Sequence, residues 1–146
     1  TANFNNTLSQ KIMLLEKVAI ENTNFTEIKP DNFAIPTEEE TKKFVANYDQ
    51  EYTSLNISSK VRNYFNTILE LEYSSGLSDM LYSITIDDQL NSNEKNLLIF
   101  TINSLNDHDN NGDNHWKKKK IVAATIGFEK SSANAVFNVA LLNIIN

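Results

Sequence analysis

Apolar residues recur along this chain every three or four positions, the spacing that gathers side chains on one face of an α-helix. The first stripe predicts a helix over residues 3–21, and the clearest one predicts a helix over residues 60–73. The members of the first stripe are Leu8, Ile12, Leu15 and Ala19, and those of the second are Val61, Tyr64, Phe65, Ile68 and Leu71. The chain between Glu21 and Ile35 has no such period and is predicted to be irregular.

Polar residues at characteristic offsets mark where further helices begin. Thr37 and Glu40 directly follow Pro36 with the spacing of a capping box, in which each side chain accepts a hydrogen bond from the backbone amide of the other residue. Ser58 or Ser59 is predicted to start the helix over residues 60–73, and Ser92 and the serine pair at 131–132 are further candidate N-caps. The helices predicted in this way cover residues 37–52, 77–86, 92–105 and 131–145.

The C-terminal quarter of the chain is rich in apolar residues. The run from Ile121 to Phe128 is too short for its period to separate helix from strand, but it continues a lysine run of high helix propensity, so we predict helix. The final predicted helix is apolar around most of its circumference, which indicates a buried position. Together the elements predict an all-α fold: a single compact bundle of six or seven helices, with a largely buried C-terminal helix and one domain over residues 1–146.

Composition supports helices and excludes several classes of function. The 146 residues include three glycines and two prolines, whereas sandwiches and barrels use many of both in their turns. The net charge of −6 and the single arginine, Arg62, argue against nucleic-acid binding, which needs clustered cations. The chain has no cysteine, so disulfides and thiolate metal sites are excluded.

An acidic, asparagine-rich loop at residues 107–113 is the first candidate binding site. Oxygen-bearing side chains at alternate positions, followed by a glycine, suit Ca²⁺, which takes six to eight oxygen ligands. The loop resembles the first half of an EF-hand or dockerin-type calcium loop. The resemblance implies ligation by the side chains of Asp107, Asp109 and Asn111 and by the backbone carbonyl of Asp113.

Two other interpretations of this loop stay open. The twelfth position of such a loop carries a bidentate carboxylate, but here it is Lys118, so a sixth ligand would have to come from elsewhere in the fold. A plain polar turn between two helices uses the same residue types. His108 and His115 flank the loop and are the alternative ligands, for Zn²⁺.

The second candidate site is the lysine segment, which comprises Trp116, Lys117, Lys118, Lys119 and Lys120. An aromatic residue beside four cations and ahead of an apolar stretch is typical of segments that contact a membrane surface or a protein partner. The alternative is a lysine turn leading into a buried helix pair, with Trp116 at the edge of the core. From Trp116 onward the chain resembles the C-terminal part of small secreted or lipid-anchored proteins of Bacteroidetes bacteria, which implies export.

The sequence contains no nucleophile-elbow, zinc-protease, Walker or dinucleotide-binding motif. We therefore expect an exported or surface-associated helical module for binding or structural interaction, stabilised by calcium if the 107–113 loop holds an ion. The alternatives are a membrane- or partner-engaging protein that acts through residues 116–145, and a hydrolase with a site built from scattered residues. Because the chain begins at Thr1 rather than Met, we also expect a processed form whose leader was removed.

Overall fold

The computed structural model describes residues 6–72, 75–106 and 113–145, and these residues form nine α-helices and no strand. The all-α prediction is therefore confirmed for the part of the chain that is described. The helices are α1 (Leu8–Ile20), α2 (Thr23–Ile28), α3 (Glu38–Val45), α4 (Tyr48–Ser54), α5 (Ser59–Glu70), α6 (Ser75–Ile86), α7 (Ser92–Asn106), α8 (Asn114–Phe128) and α9 (Ser132–Ile145).

The described residues thus form more helices than the predicted six or seven, for two local reasons. The segment predicted to be irregular contains α2, because the Asn22 side chain accepts a hydrogen bond from the Phe25 amide at 3.0 Å and caps a short helix. The helix predicted over residues 37–52 is divided into α3 and α4. The amides of Ala46 and Asn47 both donate to the carbonyl of Lys42, at 3.0 and 2.9 Å, which ends the regular hydrogen-bond pattern of α3.

Helix starts follow the predicted capping rules closely. Thr37 and Glu40 form the predicted capping box, with the Glu40 amide donating to Thr37 Oγ1 at 3.0 Å and the Thr37 amide donating to Glu40 Oε1 at 2.9 Å. Thr7 and Gln10 form a second box at the start of α1. Each box satisfies amide donors that have no partner inside the helix itself.

Four of the described helices, α4 to α7, use a different device at their ends, which is a cationic side chain from another helix. No described residue has a positive φ, so the described helices do not end in the left-handed glycine conformation that commonly satisfies terminal carbonyls. Arg62 instead donates to the carbonyl oxygens of Tyr52 and Leu55, both at 3.0 Å, at the end of α4. Lys95 donates to the Thr85 carbonyl at 2.9 Å in the last turn of α6. Both cations lie at the negative end of a helix dipole.

Two lysines of α8 do the same for α5 and α7. Lys117 Nζ donates to the carbonyls of Ile68 and Leu71, at 3.1 and 2.6 Å, where α5 ends. Lys120 Nζ donates to the carbonyl of Ser104 at 2.6 Å in the last turn of α7. The two side chains are only 3% and 1% exposed, so α8 holds the ends of two neighbouring helices with buried ammonium groups.

The hydrophobic core is one cluster that takes at least one buried residue from each of the nine helices. Its centre is formed by α8 and α9, because α8 is buried from Lys120 to Thr125 and eight of the 14 residues of α9 are buried. The run from Ile121 to Phe128 is helical, as predicted. By contrast, α1 buries Ile12 but leaves Met13 and Val18 more than 60% exposed.

Gly127 sets how closely α8 and α9 approach. A Cβ atom at this position would lie 2.4 Å from Cα of Ala135 and 2.8 Å from the carbonyl carbon of Asn134, both of which are backbone atoms of α9. Only a residue without a side chain allows the end of α8 and the first turns of α9 to pack at this distance.

Candidate functional site

The predicted calcium loop falls mostly outside the described residues, which include none of the predicted ligands Asp107, His108, Asp109 and Asn111. Asp113 is described, and its carboxylate caps α8 by accepting hydrogen bonds from the amides of His115 and Trp116, at 2.9 and 3.3 Å.

The two other groups predicted at this loop also have partners within the protein. The backbone carbonyl of Asp113, the expected ligand, accepts the Lys117 amide at 3.0 Å as the first helical bond of α8. His115 Nδ1 is 2.9 Å from the hydroxyl of Tyr48, whose ring packs edge-on against the imidazole. Within the described part of the chain, no cluster of three or more His, Asp or Glu residues has the arrangement of a metal site. The calcium assignment stays a prediction.

The structure does not bring the five residues of the lysine segment to one surface. Trp116 is 6% exposed, and Lys117 and Lys120 are buried at the helix ends described above. Their side chains point inward because α8 is wrapped on several sides by α4, α5 and α7. Burial lowers the pKa of Lys117, since a charged ammonium is less stable away from water.

The two remaining lysines lie partly at the surface and also contact neighbouring side chains. Lys118 forms an ion pair with Asp49 at 3.0 Å, and its ammonium lies 5.4 Å from the centre of the Tyr52 ring. Lys119 lies 5.3 Å from the centre of the Tyr48 ring. All four lysines therefore make contacts that hold α8 to the rest of the fold.

A groove on a different side of α8 has the volume of a ligand site. It is open to solvent on one side and has a volume of about 530 Å³, within the range of roughly 300–1,000 Å³ that small-molecule sites occupy. The starts of α5, α7 and α9 meet there with the last turn of α8. Its lining residues are Asn56, Ile57, Ser58, Val61, Asn91, Asn93, Glu94, Asn96, Leu97, Thr125, Phe128, Glu129, Ser131 and Ser132.

Glu94 holds two of these helix starts together. Its Oε1 accepts the Asn91 amide at 3.0 Å and its Oε2 accepts the Ser58 hydroxyl at 2.7 Å. Asn91 Oδ1 accepts the Glu94 amide in return at 2.8 Å, and Ser58 Oγ accepts the Val61 amide at 3.2 Å. The hydrogen bond from the Asn91 backbone, followed by that from Ser58, lowers the pKa of the Glu94 carboxyl. Glu94 is thus an ionised crosslink between α5 and α7.

The third helix start is fixed by Ser131. Its hydroxyl accepts the Asn134 amide at 3.1 Å and donates to Asn134 Oδ1 at 2.6 Å. The side-chain nitrogen of Asn134, Nδ2, donates to the Ala34 carbonyl at 3.2 Å, which ties the start of α9 to the chain before α3. This wall of the groove therefore has a defined position.

Three amide side chains in the groove have no hydrogen-bond partner among the described residues. They belong to Asn56, Asn93 and Asn96, and all three are exposed. Each amide offers an acceptor oxygen and two donor hydrogens. The carboxylate of Glu129 is also exposed and has no ion-pair partner in the described ranges. The groove therefore presents hydrogen-bond donors and acceptors that no other described side chain or backbone group uses.

A second depression, of about 540 Å³, is a weaker candidate. It is lined by Asn66, Leu69, Glu70, Leu71, Glu72 and Asn114. Glu72 and Asn114 stand next to or near the segments 73–74 and 107–112, which lie outside the described residues, so the structure does not define its whole rim. The lining of the groove between α5, α7 and α9 consists of described residues, and this groove is the candidate site.

Sequence reasoning identified neither the groove nor its three free amides. It did locate Ser58, Ser92 and the 131–132 pair as helix starts, within one residue of the observed positions. The signal for each start is local, whereas nothing in these short motifs indicates that the three starts meet in space.

Comparisons with known protein families, curated proteins and solved structures found no match to this chain. The groove is therefore interpreted from its own chemistry. Within the described ranges, no helix combines the length and the apolar content needed to cross a bilayer.

Proposed function

We propose that this chain is a helical binding module that holds a small polar ligand in the groove between α5, α7 and α9. The observation that carries the proposal is the combination of a ligand-sized volume with three uncommitted amides on a crosslinked framework. Binding groups on pre-positioned helix ends lose little conformational freedom when a ligand arrives. The single compact bundle and the one domain expected over residues 1–146 are part of this proposal, supported by the core cluster that all nine helices share.

Binding fits the groove better than hydrolysis does. The carboxylates in its lining are Glu94 and Glu129. Glu94 accepts two hydrogen bonds and is held ionised, so it is a poor general acid. The chemistry available there is hydrogen bonding and apolar contact.

Four probes of different charge test the groove: a neutral disaccharide (cellobiose), a polyamine (spermidine), a dicarboxylate (succinate) and a nucleotide (AMP). Each is added to the isotope-labelled protein, and amide chemical shifts are followed by NMR. We expect one probe to shift groove amides, such as those of Asn93 and Ser132, with a saturable concentration dependence. Shifts that are absent for all four probes, or that cluster elsewhere, would contradict the proposal.

Export or surface association is proposed from the resemblance of the C-terminal segment to secreted and lipid-anchored bacterial proteins. Engagement of a membrane or partner through residues 116–145 is the alternative. It is less favoured because Trp116, Lys117 and Lys120 are buried and most of α9 lies in the core. A sedimentation assay with anionic and neutral lipid vesicles tests membrane engagement through residues 116–145, which requires salt-sensitive binding to the anionic vesicles.

Calcium stabilisation is a separate proposal on the 107–113 loop. A ligand that binds only the folded state raises the melting temperature. We expect millimolar CaCl₂, but not MgCl₂, to raise it, and Asp107→Ala or Asp109→Ala to remove the effect. An unchanged melting temperature in CaCl₂ would reduce the loop to a polar turn.

A further inference from the structure

We infer that the ligand class of the groove is a neutral saccharide, an inference that rests on the proposed function. The first argument is charge. Among the described residues lining the groove, none is Lys, Arg or His, so an anionic ligand would meet two carboxylates without a cation. The positive dipole ends of α5, α7 and α9 face the same space as the negative dipole end of α8 and these two carboxylates, so positive and negative fields offset each other there. The opposing fields favour a ligand without net charge.

The second argument is hydrogen-bond type. A sugar hydroxyl both donates and accepts, and so does a primary amide, which can bind two neighbouring hydroxyls at once. Asn56, Asn93 and Asn96 supply three such groups, and the Ser132 hydroxyl, which has no described partner, supplies a fourth. A ligand with many hydroxyls satisfies this set better than one with a single polar group.

The third argument is the apolar part of the lining. Phe128 is half-buried and its ring is held edge-on by Phe100, with centroids 5.5 Å apart. Ile57, which is half-buried, and Leu97, of which 8% is exposed, also line the groove. The C–H face of a pyranose ring is apolar and packs on aromatic and aliphatic side chains, while its hydroxyls extend sideways to polar groups. The groove provides both kinds of surface.

The test is a titration of the intact protein with cellobiose, maltose, lactose and chitobiose, followed by isothermal calorimetry and by NMR. We expect saturable binding of at least one disaccharide, with shifted amides confined to the groove. The hexasaccharides of the cellobiose, maltose and chitobiose series identify the source of the ligand. Tighter binding of a hexasaccharide indicates a polysaccharide chain, and equal binding indicates a free disaccharide.

Two variants on one helix provide the matched comparison. Asn96→Ala removes a groove amide, and Asn103→Ala removes an exposed amide two turns further along α7 and outside the groove. We expect Asn96→Ala to weaken binding about three- to tenfold, the effect of one hydrogen bond, and Asn103→Ala to leave it unchanged. Both variants should melt with the wild type, because neither amide has a described partner.

The outcomes separate this inference from the function on which it rests. Binding of spermidine, succinate or AMP in the groove, with no response to any saccharide, would keep the binding module and overturn the saccharide class. Saccharide binding that both variants retain in full would place the sugar elsewhere and also overturn the inference. A groove that responds to none of the probes contradicts both proposals.

Discussion

Replacing Gly127 with alanine tests whether the close approach of α8 and α9 determines the stability of the fold. The new methyl group would lie 2.4 Å from Cα and 2.5 Å from the backbone nitrogen of Ala135, where ordinary contacts begin at 3.4 Å. The two helices would have to separate by about 1 Å. The atoms they meet are backbone, so no side-chain rotation relieves the contact.

The expected cost follows from two destabilising effects and one stabilising effect. Overpacking a tight interior contact costs about 1–3 kcal/mol. Moving the start of α9 also strains the Ser131 cap and the Asn134–Ala34 hydrogen bond, and loss of an N-cap costs roughly 1 kcal/mol. Alanine favours the helix over glycine by about 1 kcal/mol, which offsets part of this. The net prediction for Gly127→Ala is a loss of about 1–3 kcal/mol in the free energy of unfolding.

Gly76→Ala is the matched control, because its new methyl group would meet the side-chain carbons of Leu71, the nearest at 2.8 Å, and a leucine side chain can move. We expect this variant to be within about 1 kcal/mol of the wild type, since the gain in helix propensity opposes a small repacking cost.

Urea unfolding followed by circular dichroism, with calorimetric melting as a second measurement, compares the two variants. At this chain length the predicted loss for Gly127→Ala lowers the melting temperature by about 3–10 °C. A Gly127→Ala protein that unfolds at or above the wild-type midpoint, with an unchanged urea slope, would refute the argument. It would mean that α8 and α9 are not in close contact at this residue.

Two further outcomes are expected from the buried lysine and from the capping carboxylates. Lys117→Met keeps the aliphatic chain but removes the ammonium group that binds two carbonyls at the end of α5. It should lower the free energy of unfolding, measured by urea titration, by about 1–3 kcal/mol. Lys118→Met breaks an exposed ion pair and should lower it by less than about 1 kcal/mol. A hydrogen bond from Lys130 lowers the pKa of Glu40, and one from the Asn91 backbone lowers the pKa of Glu94. The stability that these two carboxylates contribute is therefore complete above pH 4.5, their ordinary pKa. It is lost as the pH falls through their lowered pKa values in the folded protein. A melting temperature that does not fall between about pH 5 and pH 3 would contradict this linkage. So would a Glu40→Gln variant that loses as much free energy of unfolding at about pH 3 as it does at pH 7.

Helix starts were predictable because the groups that determine them are close in sequence. Thr37 and Glu40 are three residues apart and satisfy each other's amides, so the capping box can be identified from spacing alone. The same holds for Ser58 and for Ser131. The division between α3 and α4 was missed, because a two-residue break at Ala46 and Asn47 leaves the apolar period almost intact.

The cations at the ends of α4 to α7 were not predictable from local motifs, because they lie between seven and 49 residues from the carbonyls that they bind. Lys117 is 49 residues from Ile68, whose carbonyl it caps. From sequence alone, four consecutive lysines beside a tryptophan resemble an interaction surface. In the structure these lysines hold α8 against α4, α5 and α7. Two of them bind carbonyls at the ends of α5 and α7, which a terminal glycine could otherwise help to satisfy, and the chain has only three glycines.

The groove follows from these two rules acting together. Helix starts carry short polar caps, so the point where three starts meet is lined by serine and asparagine and not by lysine or arginine. Cations bind at the ends of α4, α5, α6 and α7, and among the described residues that line the groove none is Lys, Arg or His. Glu94, Asn91, Ser58 and Ser131 are used in capping. Asn56, Asn93 and Asn96 remain uncommitted, and the comparison of Asn96→Ala with Asn103→Ala asks whether a ligand uses them.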